Sequence, residues 1–358
     1  MRLIAIGLVI FFVVETVEGG VARSDSPSNV ILPSCGTIYT PPFAPHESVR
    51  TCPMVSPRSY HPRYSGLAYE ILASESEACF VPDEQFMLLD LIIDDIRHDA
   101  GTGFSGTSVE KLDRARRVSA MIGETLERHN FALFVFTDSL SDTLAINGTG
   151  ADAFHAFDCD TSSFIYLTIA ENLGFPLSFV DITLPSGSGH NYVRWQIDES
   201  IILDWDTNGR AECRTPEKLP KHEGRSLTRQ EVLGYARAIR AELWQRQNDH
   251  KSAVNDLRNA AEWYPDSELA HNNFGWVVAT KEFDGRLELK QEAVQHAERA
   301  VALMRNANHL DTLACAEALI GRFDTATQLI KEAMSMGASS LADRLERFKN
   351  KQDCTGLE

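Results

Sequence analysis

The seven cysteines include no CxxC pair, so the spacing expected of a zinc site is missing. His155 has no partners that would complete a four-ligand set and is read as a surface or lining residue, so neither a metal nor a cofactor is expected. Positive charge is also scarce. The 34 Lys+Arg stand against 51 Asp+Glu, a formal net charge of −17, which excludes non-specific attraction to nucleic acid or to anionic membranes. Long apolar runs are lacking too: after Leu3–Val14 nothing is long enough to cross a bilayer. Residues 23–66 lack apolar periodicity and are rich in Pro, Ser, Arg and His, so 23–80 is read as a loop-rich N-terminal arm.

At 358 residues, the chain can bury a core and is expected to hold two domains. Its start, with Arg2, the apolar run and then Gly19-Gly20-Val21-Ala22, resembles a secretory signal peptide over residues 1–22. Export to the periplasm or the medium is therefore expected, with no membrane contact beyond a signal left uncleaved. In an oxidising compartment Cys35 and Cys52 are a candidate disulfide. Cys79, Cys213, Cys315 and Cys354 are scattered. The odd cysteine count leaves at least one thiol outside intramolecular disulfides, and Cys159 is the candidate.

Periodicity predicts a helix after Pro82, carried by Phe86, Leu89, Ile92, Ile93 and Ile96. Thr107 and Glu110 form a capping-box pattern before Leu112, Ala115, Ser119, Ile122 and Leu126. A third helix begins near Cys159 and stops at Gly174 with Pro176 beyond. Then the texture turns to strands: "LSFVDITL", "HNYVRWQID" and "IILDWD", the last two joined by Asp198-Glu199-Ser200. Helices followed by an antiparallel sheet predict an α+β domain over 81–220.

From about Gly234 the chain is helical and repetitive. Ala253, Leu257 and Ala260 are echoed 40 residues on (253 to 293) by Ala293, Ala297 and Ala300, then 33 residues on (293 to 326) by Ala326, Ile330 and Ala333. With Phe274-Gly275, Leu313-Ala314 and Pro265, this pattern resembles three tetratricopeptide repeats over 234–340, followed by a tail at 341–358. Such repeats imply a protein partner.

Cys159 follows Asp158 at a helix mouth, where free N–H groups and the macrodipole favour a thiolate, while the flanking carboxylates of Asp158 and Asp160 oppose one. A partner base is therefore required. His190 opens a strand after a Gly/Ser loop, and Asp204 and Asp206 share a face of the next strand, where either could orient the imidazole.

The stretch "CDTSSFIYLTIAENLGFP…HNYVRW…LDWDTNG" resembles the catalytic core of the transglutaminase-like superfamily, which shares its architecture with papain-type cysteine proteases. The resemblance covers roughly residues 80–215, and together with the repeats it suggests a bacterial branch. It implies a Cys159–His190–Asp triad, with Asp206, next to Thr207, favoured over Asp204. It further implies acyl transfer on amide bonds of a peptide or protein substrate through a thioester, ending in hydrolysis or transamidation. Many active members carry an aromatic residue where this chain has Asp158, which keeps a second reading: a catalytically silent scaffold for protein–protein interaction.

Overall fold

The structure is a computed structural model that describes residues 59–133, 139–150, 153–183, 189–208, the backbone of 211–213, 224–283 and 287–357. The signal segment, the Cys35 and Cys52 pair and Cys213's side chain lie outside the described residues.

The chain is mixed α+β and mostly helical. Helices α1 (Leu67–Glu75), α2 (Asp83–Ala100) and α3 (Ser108–Arg128) lead to β1 (Phe131–Leu133), a short α4 (Leu140–Leu144), β2 (Ile146–Asn147) and β3 (Phe154–Phe157). The long helix α5 (Cys159–Leu173) follows, then β4 (Leu177–Thr183), β5 (Gly189–Gln196), β6 (Ile202–Asp206) and β7 (Ala211–Cys213). A helical array completes the chain: α6 (Arg229–Arg246), α7 (His250–Trp263), α8 (Glu268–Thr280), α9 (Leu287–Leu303), α10 (Ala307–Leu319), α11 (Phe323–Ser335) and α12 (Ala342–Lys349).

The Thr107–Glu110 capping box is present at the start of α3, and Gly174 ends α5 in the left-handed region at φ 72°. Strands β4, β5, β6 and β7 form one antiparallel sheet in that order, while β1, β3 and β2 form a smaller one that periodicity does not announce. Asp181 pairs with Asn191, and Arg194 with Asp204. Helix α5 lies on β4 and β5 and is flanked by α1 and α2. Because it is surrounded, it is buried on nearly every side, from Thr161 through Ala170.

Helix α1 corrects the loop-rich reading of 23–80. It has no side-chain cap of its own. Instead Leu67 N–H donates to Glu171 of α5 at 2.7 Å and Ala68 N–H to Thr168 at 2.7 Å. Glu75, fully buried at its other end, accepts the first N–H groups of α4 from Leu140 and Ser141.

In the array each helix packs on the next, and α8 also meets α10. The echoed residues of α7, α9 and α11, from Ala253 to Ala333, are buried at the helix contacts. Gly275 is needed for close approach: a Cβ there would meet Thr312 Cγ2 at 3.0 Å and Ala297 Cβ at 3.1 Å. Residues 341–358 do not trail as a tail. Arg344 pairs with Asp311, Phe348 is buried, and a Cys315–Cys354 disulfide fastens the end to α10. No described helix is long and apolar enough to cross a membrane.

The described residues belong to one compact unit, and a buried arginine ties the helical array to α1. Arg240 of α6 grips Asp256 of α7 at 2.7 and 2.5 Å, and Trp244 Nε1 adds a donor at 2.9 Å. The same guanidinium reaches the Ser74 carbonyl of α1 at 2.8 Å. Loss of Asp256 leaves the Arg240 guanidinium with the exposed Glu77, 2.7 Å away, as its remaining counter-charge. The cost therefore lies at or below that of a fully stranded buried charge, about 3–5 kcal/mol. Asp256→Ala should lower the denaturant midpoint; an unchanged midpoint would show that the pair adds nothing to the packing of α6 on α7.

Candidate active site

Asp158 is the N-cap of α5: its Oδ1 accepts from Thr161 N–H at 3.0 Å and from Thr161 Oγ1 at 2.8 Å. Cys159 therefore occupies the first helical position, where its own N–H has no acceptor within the helix. It is partly exposed and is the free cysteine among the described residues; Cys79 is disulfide-bonded.

The sulfur lies against the start of β5. It takes the backbone N–H of Asn191 and donates to Asp160 Oδ1 at 3.4 Å. Burial pushes the thiol well above its ordinary range, and the charges of Asp160 and Asp158 push it further. The Asn191 N–H opposes them and is outweighed. At neutral pH the resting cysteine is a thiol. The helix terminus alone does not ionise it.

His190 is buried, and its Nε2 lies 3.7 Å from Asp206 Oδ1 with no hydrogen-bond partner of its own. Asp206 is itself buried, its Oδ1 accepting from Asn208 N–H at 3.0 Å. Next to it, Thr207 bonds Ser162 at 2.7 Å and Ser163 at 3.2 Å, which ties the end of β6 to the first turns of α5. Asp204 is placed elsewhere. Arg194 holds it in a fork at 2.6 and 2.9 Å and also reaches the Gly224 carbonyl. Of the two aspartates, only Asp206 lies beside His190; Asp204 is committed to Arg194.

The other residues singled out in the sequence take structural places. His155 is half-buried, stacked on Phe131 and bonded to the Ala145 carbonyl. Trp195, Trp205, Tyr166 and Phe164 are core.

Sequence reasoning missed an acidic lobe beside the cysteine. Asp160 Oδ1 accepts from Asn191 Nδ2 at 2.6 Å and Tyr235 Oη at 3.1 Å. Asp181, across the strand pair from Asn191, accepts from Tyr264 Oη at 3.1 Å. Glu268, at the start of α8, raises Asp181 further and approaches within 3.8 Å of where a side chain on Gly189 would begin. Burial and then Asp158 and Asp181 hold the Asp160 carboxyl well above the carboxylate range. Burial and Glu268 lift Asp181 to about 8. An aspartate in the middle of "LSFVDITL" was the one available signal. Among the described residues no group of three His, Cys, Asp or Glu side chains could hold a metal ion.

No family model, no curated protein and no solved structure matches this chain.

The raised carboxyl gives a pH signature. In the folded chain Asp181 keeps a proton up to about pH 8 that the unfolded chain releases near pH 4. Its stabilising contribution is complete below that lower pH and is lost as pH rises toward 8. Glu75, lifted by burial to about 7, acts in the same direction. The thermal midpoint should fall between pH 5 and pH 8, and Asp181→Asn should make that fall shallower. Parallel curves for the two proteins would contradict the shift.

Proposed function

We propose that this protein is an exported, cysteine-dependent acyl-transfer enzyme acting on amide bonds of peptides or proteins, with a transglutaminase-like core and tetratricopeptide-type helix pairs α6–α7, α8–α9 and α10–α11. One observation carries the reading. A free cysteine at the first position of a buried helix lies against the strand that His190 opens, and the histidine's Nε2 faces Asp206.

With Nε2 turned to the aspartate, Nδ1 is the imidazole atom left to take the thiol proton. Asp206 orients the ring and offsets its charge once protonated. The raised thiol argues against a standing thiolate–imidazolium pair, so proton removal accompanies attack. The sulfur adds to the amide carbonyl, and the N–H of Cys159 at the helix terminus faces the developing oxyanion. His190 then passes its proton to the amine as the C–N bond breaks, leaving a thioester. Water releases an acid, or a second amine forms a new amide. Disulfide bonding at Cys79 and at Cys315–Cys354 supports an oxidising, exported setting, periplasmic or secreted. The helix pairs offer the surface for a protein partner.

The same raised thiol is the observation that favours the second reading, a silent scaffold. Acylation by an activated ester such as p-nitrophenyl acetate, followed by intact mass and peptide mapping at pH 7, separates the two. The enzyme reading expects a thioester on Cys159 that forms about 10²–10⁴-fold more slowly in His190→Ala and measurably more slowly in Asp206→Asn. Equal rates in wild type and His190→Ala would make the scaffold the better account.

A further inference from the structure

The lobe beside Cys159 is built only from acceptors and neutral donors. Asp160, Asp181 and Glu268 converge there from α5, β4 and α8, and among the described residues none has a cation within ion-pair distance. Arg225 is the described cation that acts on Asp181, but its guanidinium is forked onto Glu231 at 2.5 and 2.9 Å. Carboxylates taken out of water without a counter-ion are costly, and burial accordingly raises the Asp160 and Asp181 carboxyls well above the usual carboxylate range.

A second observation comes from Asn191. Its side chain is almost wholly buried, with Nδ2 committed to Asp160 and Tyr235. Its Oδ1 is buried and has no donor. Buried amide oxygens are ordinarily paired, so an acceptor kept unpaired among carboxyl groups is a place for a donor that arrives with a ligand. An alkylammonium group matches these needs. It carries one positive charge and three donors around a point, fitting Asn191 Oδ1 and the Asp160 and Asp181 carboxylates together.

We propose that the Asp160–Asn191–Asp181 lobe, closed by Glu268, Tyr235 and Tyr264, seats the side-chain ammonium of a lysine or another diamino acid residue in the substrate. The assignment rests on the acyl-transfer reading only for the word substrate; the seat itself is a binding site beside the sulfur. An ammonium held by carboxylates stays protonated and cannot attack a thioester, so the seat recognises the chain being cut and not the incoming amine. With Asp160 bonded to the thiol itself, the recognised residue lies next to the reacting carbonyl.

The test measures protection of Cys159 in the full chain from iodoacetamide at pH 8. The probes are N-acetyl-lysine N-methylamide and its uncharged analogue N-acetyl-norleucine N-methylamide. The lysine derivative should slow alkylation at concentrations where the norleucine derivative does not. Asp181→Asn and Glu268→Gln, isosteric changes whose folding is checked by thermal melting, should each weaken that protection about tenfold or more. Glu332→Gln, which removes a carboxylate on α11, should leave it intact. Equal protection by both probes, or protection unchanged in both lobe variants, overturns the proposal. So does stronger protection by N-acetyl-arginine N-methylamide, run as a third probe, than by the lysine derivative. This readout needs no turnover. If acylation proves independent of His190 while protection persists, the catalytic reading fails and the cation seat stands.

Discussion

Helix α5 is buried on nearly every side while Cys159 in its first turn stays partly exposed, and much of the fold follows from that constraint. A helix wrapped by β4, β5, α1 and α2 has nowhere to send its polar groups except to its neighbours. Ser162 and Ser163 go to Thr207, Thr168 and Glu171 go to the N-terminus of α1, and Asp158 closes the helix on itself. Each of these bonds also positions something else. Thr207 fixes the end of β6 and so Asp206; the α1 contacts bring the chain to where Arg240 can reach the Ser74 carbonyl. The order around Cys159 is thus a by-product of satisfying one buried helix.

Electrostatics at the cysteine run against simple expectation. The helix terminus and the Asn191 N–H favour a thiolate, but burial leads the opposing terms and two carboxyl groups add to it. In water Asp158 and Asp160 would simply be charged. Next to an enclosed sulfur, with Asp181 and Glu268 behind them, charge is expensive, so the Asp160 and Asp181 carboxyls are raised well above the usual carboxylate range while they accept hydrogen bonds from Asn191, Tyr235 and Tyr264. A base that removes the thiol proton works against that field. His190, the base of the proposed reaction, has its Nε2 3.7 Å from the buried Asp206 carboxylate.

Legibility in the sequence tracked the range of the interactions involved. The α3 and α5 caps lie within three residues of their partners, and both could be read directly. Two of the four strands of the larger sheet, β5 and β6, alternate visibly, and the alanine echoes of the array mark its contacts. Helix α1 was illegible because its caps come from residues 104 and 100 positions away. Asp204 and Asp206 could not be separated by alternation, which puts both on one face; Arg194, opposite Asp204 in the register, separates them. The lobe was hidden for the same reason, since Asp160 meets donors 31 and 75 residues distant. Local pattern encodes caps and faces. It does not encode which distant side chain arrives at them.

The helical array also belongs to the site and is more than an appendage. Tyr235 of α6 bonds Asp160, Tyr264 at the end of α7 bonds Asp181, and Glu268 opens α8 beside them. The first helix pair therefore supplies part of the wall around the Asp160 and Asp181 carboxyls. Its place on the core is held by the Arg240 bonds to the Ser74 carbonyl and Glu77 and by Tyr235 and Tyr264 packing into the same cluster as α5. A ligand that draws the lobe carboxyls into ionising would pull on Tyr264 and Glu268, which sit on either side of the turn into the second helix pair. The proposed seat beside the cysteine and the start of the second helix pair share this short turn, so a partner bound there would have a physical means of influencing the seat.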